Sequence, residues 1–157
     1  MDRLSRGGFG VLKARFLAAD GKLDEALDRA KEAVAADPDV ADTHLQAGLI
    51  HAQRNEVDEA LASFGEVLRI NPRATAAQVQ VSRLELARGG SEAALRAAER
   101  AIAERPGDPV VRLVAARARL ASGNIAAAET IMRPLLAEFP EVAAVQAQSG
   151  MVFMRKG

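Results

Sequence analysis

The side chains in this chain that could do acid–base or metal chemistry are few, and their spacing limits what they can do. The only two histidines, His44 and His51, stand seven residues apart. On a helix that spacing puts them on one face but two turns, roughly 10 Å, apart along the axis. Metal-binding pairs on helices are normally spaced by four. A third ligand is missing, and with no cysteine in the chain there is no thiolate metal site, cysteine nucleophile or disulfide. The adjacent carboxylates Asp24-Glu25 and Asp58-Glu59 open helical stretches, where negative charge offsets the helix dipole. They read as helix stabilisers rather than as an acid and base pair. Gly89-Gly90 follows a helical stretch instead of a strand and lacks the lysine of a phosphate loop, so it reads as a turn. No catalytic residue, metal ligand or cofactor is assigned, and the chain is not expected to be an enzyme.

The elements that carry these residues repeat. Proline recurs at Pro38, Pro72, Pro106 and Pro140, and alanine at Ala26, Ala60, Ala94 and Ala128, both at a step of 34. An ungapped period of this length predicts an all-α solenoid of antiparallel helix pairs, each unit stacked on its neighbours. In the second unit the two helices are expected at about Ala41 to Arg54 and Val57 to Ile70. Asn55 lies between them, with Gly21, Gly89, Gly123 and Gly157 at the equivalent places, all residue types that tolerate a left-handed backbone. Each unit should end at Asp37-Pro38, Asn71-Pro72, Arg105-Pro106 and Phe139-Pro140, because the residue before proline is pushed out of the α region. Asp108-Pro109 reads as an N-cap followed by proline in the first turn. Leu27, Val34, Leu61, Leu68, Leu95, Ile102 and Leu136 are the expected core. Gly7-Gly8 and Gly10 weaken the opening helix, and Pro134 should kink the helix that contains it.

The pattern resembles a tetratricopeptide repeat array. The second unit carries it best, with His44, Ala47-Gly48, His51, Ala60, Phe64 and Pro72. The third keeps Val81-Ser82, Glu85, Ala94, Ala98 and Pro106, and the fourth Ala115-Ala116, Arg119, Ala128, Met132 and Pro140. The resemblance implies a right-handed α-solenoid of the bacterial type: one array over 1–157, with repeats at about 7–40, 41–74, 75–108 and 109–142 and a half repeat at 143–157. In this family the small pair on the first helix lets it approach the second closely. His44 and His51 fall at bulky core positions, where packing is the expectation.

The resemblance also implies a concave groove lined by the first helices, with residues recurring at the same step. One level holds Arg15, Leu49, Arg83, Arg117 and Met151, a second Val11, Leu45, Val79, Leu113 and Ala147, and a third Ala18, Ala52, Leu86, Leu120 and Met154. The stripe is apolar with arginines set in it. It suits a protein or peptide segment that combines aliphatic side chains with a carboxylate, which arginine grips through two hydrogen bonds. The alternative is that these apolar residues pack against neighbouring first helices and leave only the arginines exposed. The lysine and asparagine pattern by which some family members clamp a chaperone's acidic C-terminus is not reproduced.

Charge is balanced overall, with 21 basic and 21 acidic residues, but it is sorted along the chain. Residues 20–66 hold 12 acidic against 4 basic residues, and residues 67–133 hold 11 basic against 6 acidic. In a solenoid this becomes a field gradient that orients a charged partner or favours head-to-tail contact; ordinary solvated helix faces are the other reading. The basic stretch has almost no aromatics to stack bases, which argues against nucleic acid. No apolar run reaches the ~20 residues of a membrane span, so membrane insertion is not expected. No secretory signal is found, and the compartment is left unassigned, with cytoplasmic favoured and periplasmic open for a fragment of an exported parent. Residues 142–154 carry no charge, and Val145, Val152 and Phe153 are expected on a face that a further helix or a second copy would cover. Two functions follow: an interaction module or scaffold, or the noncatalytic repeat region of a larger enzyme such as a glycosyltransferase or sulfotransferase.

Overall fold

The computed structural model describes residues 3–156, with side chains from residue 8 onward. Among these residues every regular element is helical. The order is α1 Arg3–Ala19, α2 Leu23–Ala36, α3 Ala41–Gln53, α4 Val57–Ile70, α5 Thr75–Ala87, α6 Ser91–Glu104, α7 Pro109–Ala121, α8 Ile125–Glu138 and α9 Ala143–Lys156. The even-numbered helices each span 14 residues at the step of 34, so the proline and alanine register is also the register of the structure. The fold is an all-α helical repeat. It comprises two compact units, residues 1–77 and 78–157, with α5 beginning in the first and continuing into the second.

The turns follow from the residues placed in them. Gly21, Asn55, Gly89 and Gly123 have φ of +76°, +62°, +85° and +84°, the left-handed conformation that lets the chain reverse within two residues; Gly157 lies outside the described residues. The even helices stop at Asp37, Asn71, Arg105 and Phe139, each immediately before proline. Asp108 caps α7, its carboxylate accepting from the Val110 and Val111 amides at 2.9 and 3.2 Å, with Pro109 in the first turn.

In the first unit α1 packs on α2, α2 on α3 and α3 on α4, around Ala14, Ala26, Leu27, Ala30, Ala47 and Ile50. The close approach expected at the small pair is present. A Cβ on Gly48 would lie 2.7 Å from the ring of Phe64, which is fully buried. The opening helix forms in spite of its glycines. Gly10 sits where a Cβ would be 3.1 Å from that of Ala33, so its missing side chain allows α1 to lie close on α2.

In the second unit α6, α7, α8 and α9 build a core from Ala94, Ala98, Val111, Val114, Ala115, Met132 and Leu135. One expectation is corrected here. Leu95, Ile102 and Leu136 pack against this cluster only partly buried, as Val34 does in the first unit, while the alanines and a few larger residues such as Phe64, Ile50 and Met132 fill the centres. Alanine permits helix axes so close that the larger residues are displaced to the margins. Helix α8 contains Pro134, which lies on its exposed side.

Candidate functional site

The polar residues found at repeat positions form local braces. His44 Nε2 donates to the Pro38 carbonyl at 2.7 Å, and Gln146, three periods further on, makes the same bond to the Pro140 carbonyl at 2.6 Å. A carbonyl can only accept, so the proton sits on Nε2 of His44. These side chains close the turn before their own helix. The next repeat position carries His51, where packing was the expectation, and Glu85 and Arg119; each makes polar bonds. His51 Nδ1 donates to Glu56 at 2.7 Å, and Arg54 donates to Glu56 at 2.7 Å and also reaches Asp24 on α2. The hydrogen bond from His51, followed by that from Arg54, holds the Glu56 carboxyl below its ordinary range. Glu85 accepts from Arg88 at 2.7 and 2.8 Å. Arg119 holds Glu99 with two bonds of 2.8 and 3.0 Å, which raises the guanidinium pKa further. The histidines are therefore placed as hydrogen-bonding braces, and among the described residues no three histidine or acidic side chains gather as metal ligands.

The residues projected onto the first-helix faces divide by burial. In the first unit Arg15 is exposed, Leu45 and Leu49 are half-buried, and Val11 is buried. In the second unit Arg83 is exposed and Leu86 and Leu113 are half-buried, whereas Val79 and Leu120 are 7% and 5% exposed and belong to the core. Val79 and Leu120 therefore support the face rather than line it, because an apolar side chain between helices is withdrawn from solvent. Arg117 on α7 is half-buried, its Nε donating to Gln148 of α9 at 3.2 Å. Met151 and Met154 of α9 are exposed, at 48% and 78%.

At the last helix the sequence expectation needs correction. Val145 and Val152 are buried within the second unit's own core, and the exposed apolar residues are Met151, Phe153 and Met154. The two cations of α9 are tied back, Arg155 to the Leu120 carbonyl at 3.2 Å and Lys156 to Glu129 at 2.8 Å. The hydrogen bond from Lys156, then that from Arg133, holds the Glu129 carboxyl below its ordinary range. No helix among the described residues is long and apolar enough to cross a membrane.

Solved structures share this architecture at low sequence identity. MamA from Desulfovibrio magneticus RS-1 is 19% identical and superposes with a TM-score of 0.86 over 96% of this chain and 85% of its own. PilF of Pseudomonas aeruginosa is 15% identical, with a TM-score of 0.84 over 98% of this chain and 70% of its own. YrrB, a tetratricopeptide protein described as having an unusual peptide-binding site, is 18% identical, with a TM-score of 0.81 over 94% of this chain and 76% of its own. No curated protein matches the sequence. Two family models, both described as tetratricopeptide repeat, match residues 11–75 and 85–149. With those matches covering most of the chain, and with the 34-residue helix register, the left-handed turn residues and the Gly48–Phe64 approach, the chain belongs to the tetratricopeptide repeat family.

Proposed function

We propose that this chain docks a protein or peptide segment against the faces of its first helices, with arginine as the polar anchor. The fold is that of a protein–protein interaction scaffold, and arrays of this family are generally noncatalytic. The observation that carries the finer reading is the α7–α9 face. There Arg117, steadied by Gln148, accompanies the exposed Met151 and Met154. A guanidinium held in place loses less freedom when it grips a carboxylate through two bonds, and methionines offer apolar contact that adapts to the shape of a partner. Arg83 in the same unit, with Leu86 and Leu113 beside the core, extends the same composition, and Arg15, Leu45 and Leu49 repeat it in the first unit. The favoured ligand is a segment with aliphatic side chains and at least one carboxylate. YrrB, which has this fold and a peptide-binding site, is consistent with that role.

The test is selection from a random peptide library, followed by calorimetry of the best binder on the native chain and on the Arg83→Glu/Arg117→Glu variant. Selected peptides should carry an acidic group among aliphatic residues. Reversal of the two charges should weaken binding at least about tenfold, given that hydrogen bonds to charged groups contribute ~1.5–3 kcal/mol each. Unchanged affinity would overturn the assignment.

A further inference from the structure

The first helix carries an exposed apolar surface that the reading above does not use. Phe9, Leu12 and Phe16 are 71%, 52% and 71% exposed and follow one another at steps of three and four, forming a single ridge. Val11 and Ala14, on the other side of the helix, are buried in the first unit. Together with Lys13, Leu17 and Asp20 the ridge residues line one open surface groove of about 430 Å³. Large side chains this exposed, in a row, mark an interaction surface.

The charges on this face indicate what covers it. Lys13 and Asp20 stand seven residues apart, about 10 Å along the helix direction, Asp20 being the first residue past the end of α1, with Phe16 and Leu17 midway between them. Both are exposed, and among the described residues neither has an ion-pair partner. About the point between Phe16 and Leu17, Lys13 mirrors Asp20 and Phe16 mirrors Leu17, while Arg15 mirrors Ala18 and Phe9 mirrors Asp24. Two such helices, laid antiparallel across a two-fold axis at that point, bring Lys13 of each copy opposite Asp20 of the other and Phe16 opposite Leu17. Leu12 then falls opposite Gly21 of the other copy, where a Cβ would meet nothing within 4 Å. A two-fold interface needs this property, that residue i meets j and j meets i. We propose that α1 is a homodimerisation face and that its occupant is α1 of a second copy, registered by two reciprocal Lys13–Asp20 pairs.

Other occupants fit less well. An anionic lipid surface would meet Asp20 on the face itself and Asp24, Glu25 and Asp28 immediately after it. The α9 face has no charge between residues 142 and 154 to set a register. Three large side chains per copy put the contact at the low end of interface sizes, below about 1,200 Å², so the dimer is concentration-dependent.

Sedimentation velocity of the full chain from micromolar to millimolar concentration tests this. A reversible monomer–dimer equilibrium is expected. Lys13→Asp and Asp20→Lys should each weaken it roughly tenfold or more, since either change turns two attractive contacts into two repulsive ones. An equimolar mixture of those two variants should dimerise again, because every contact then joins opposite charges. Phe16→Ser should abolish the dimer, with circular dichroism confirming that the helices persist. A native chain that stays monomeric throughout, single-charge variants that dimerise like the native chain, or a mixture no tighter than its components would each overturn the proposal. So would a dimer lost on changing Met151 and Met154 or Arg83 and Arg117, which would place the contact elsewhere.

Discussion

The close approach of α3 and α4 can be tested with one methyl group. In Gly48→Ala the added Cβ would sit 2.7, 2.9 and 3.0 Å from three carbons of the Phe64 ring, well inside the ~3.5–4.0 Å at which carbons attract. Phe64 has no exposed side toward which to swing, being 0% accessible. The helices must separate or the ring must leave its rotamer, and overpacking of this kind costs about 1–3 kcal/mol. Replacing a glycine inside a helix returns ~0.8–1 kcal/mol of propensity, so the net loss is about 0–2 kcal/mol. Gly65→Ala on α4 is the control. It adds the same atoms at an exposed helical position where the new Cβ meets nothing within 4 Å, so only the propensity gain of ~0.8–1 kcal/mol remains. The two variants should therefore differ by about 1–3 kcal/mol, read as urea midpoints by far-ultraviolet circular dichroism, or as roughly 2–4 °C in Tm per kcal/mol for a chain of this size. Phe64→Leu in the Gly48→Ala background should cost less than the sum of the two changes, because the smaller side chain relieves the clash. A Gly48→Ala variant stabilised as much as Gly65→Ala would refute the reasoning.

Two further outcomes follow from local geometry. Asp108→Ala removes the acceptor of two first-turn amides and should destabilise by about 1 kcal/mol, with faster hydrogen exchange at Val110 and Val111 as the specific sign. Glu56, whose pKa is depressed by His51 and then Arg54, contributes stability that is present at neutral pH and lost as the pH falls from about 4.3 through its folded value. Glu56→Gln should therefore show a smaller drop in urea midpoint over that acidic range than the native chain.

What the sequence determined by itself was the local backbone. Proline at every thirty-fourth residue, glycine or asparagine at the turn inside each helix pair and an aspartate before Pro109 act through dihedral angles and neighbouring amides, and all of them appear in the structure where the spacing puts them. The close pair at Gly48 was legible for a related reason, since only a small residue fits where two helices touch. The tertiary structure decided which side of each helix is hidden. Val79, Leu120, Val145 and Val152 are core residues, while Phe9, Leu12 and Phe16 face solvent, although all are apolar residues on helices. Helices such as α5 and α9 spread their apolar residues round much of the circumference, and periodicity alone cannot choose a buried face when several would serve. The braces at His51, Glu85 and Arg119 were hidden for the same reason. Two of them find their partners close by in the chain, but Arg119 reaches Glu99 twenty residues away, and Arg54 reaches Asp24 thirty residues away. Such contacts exist only once the helices that carry them have packed.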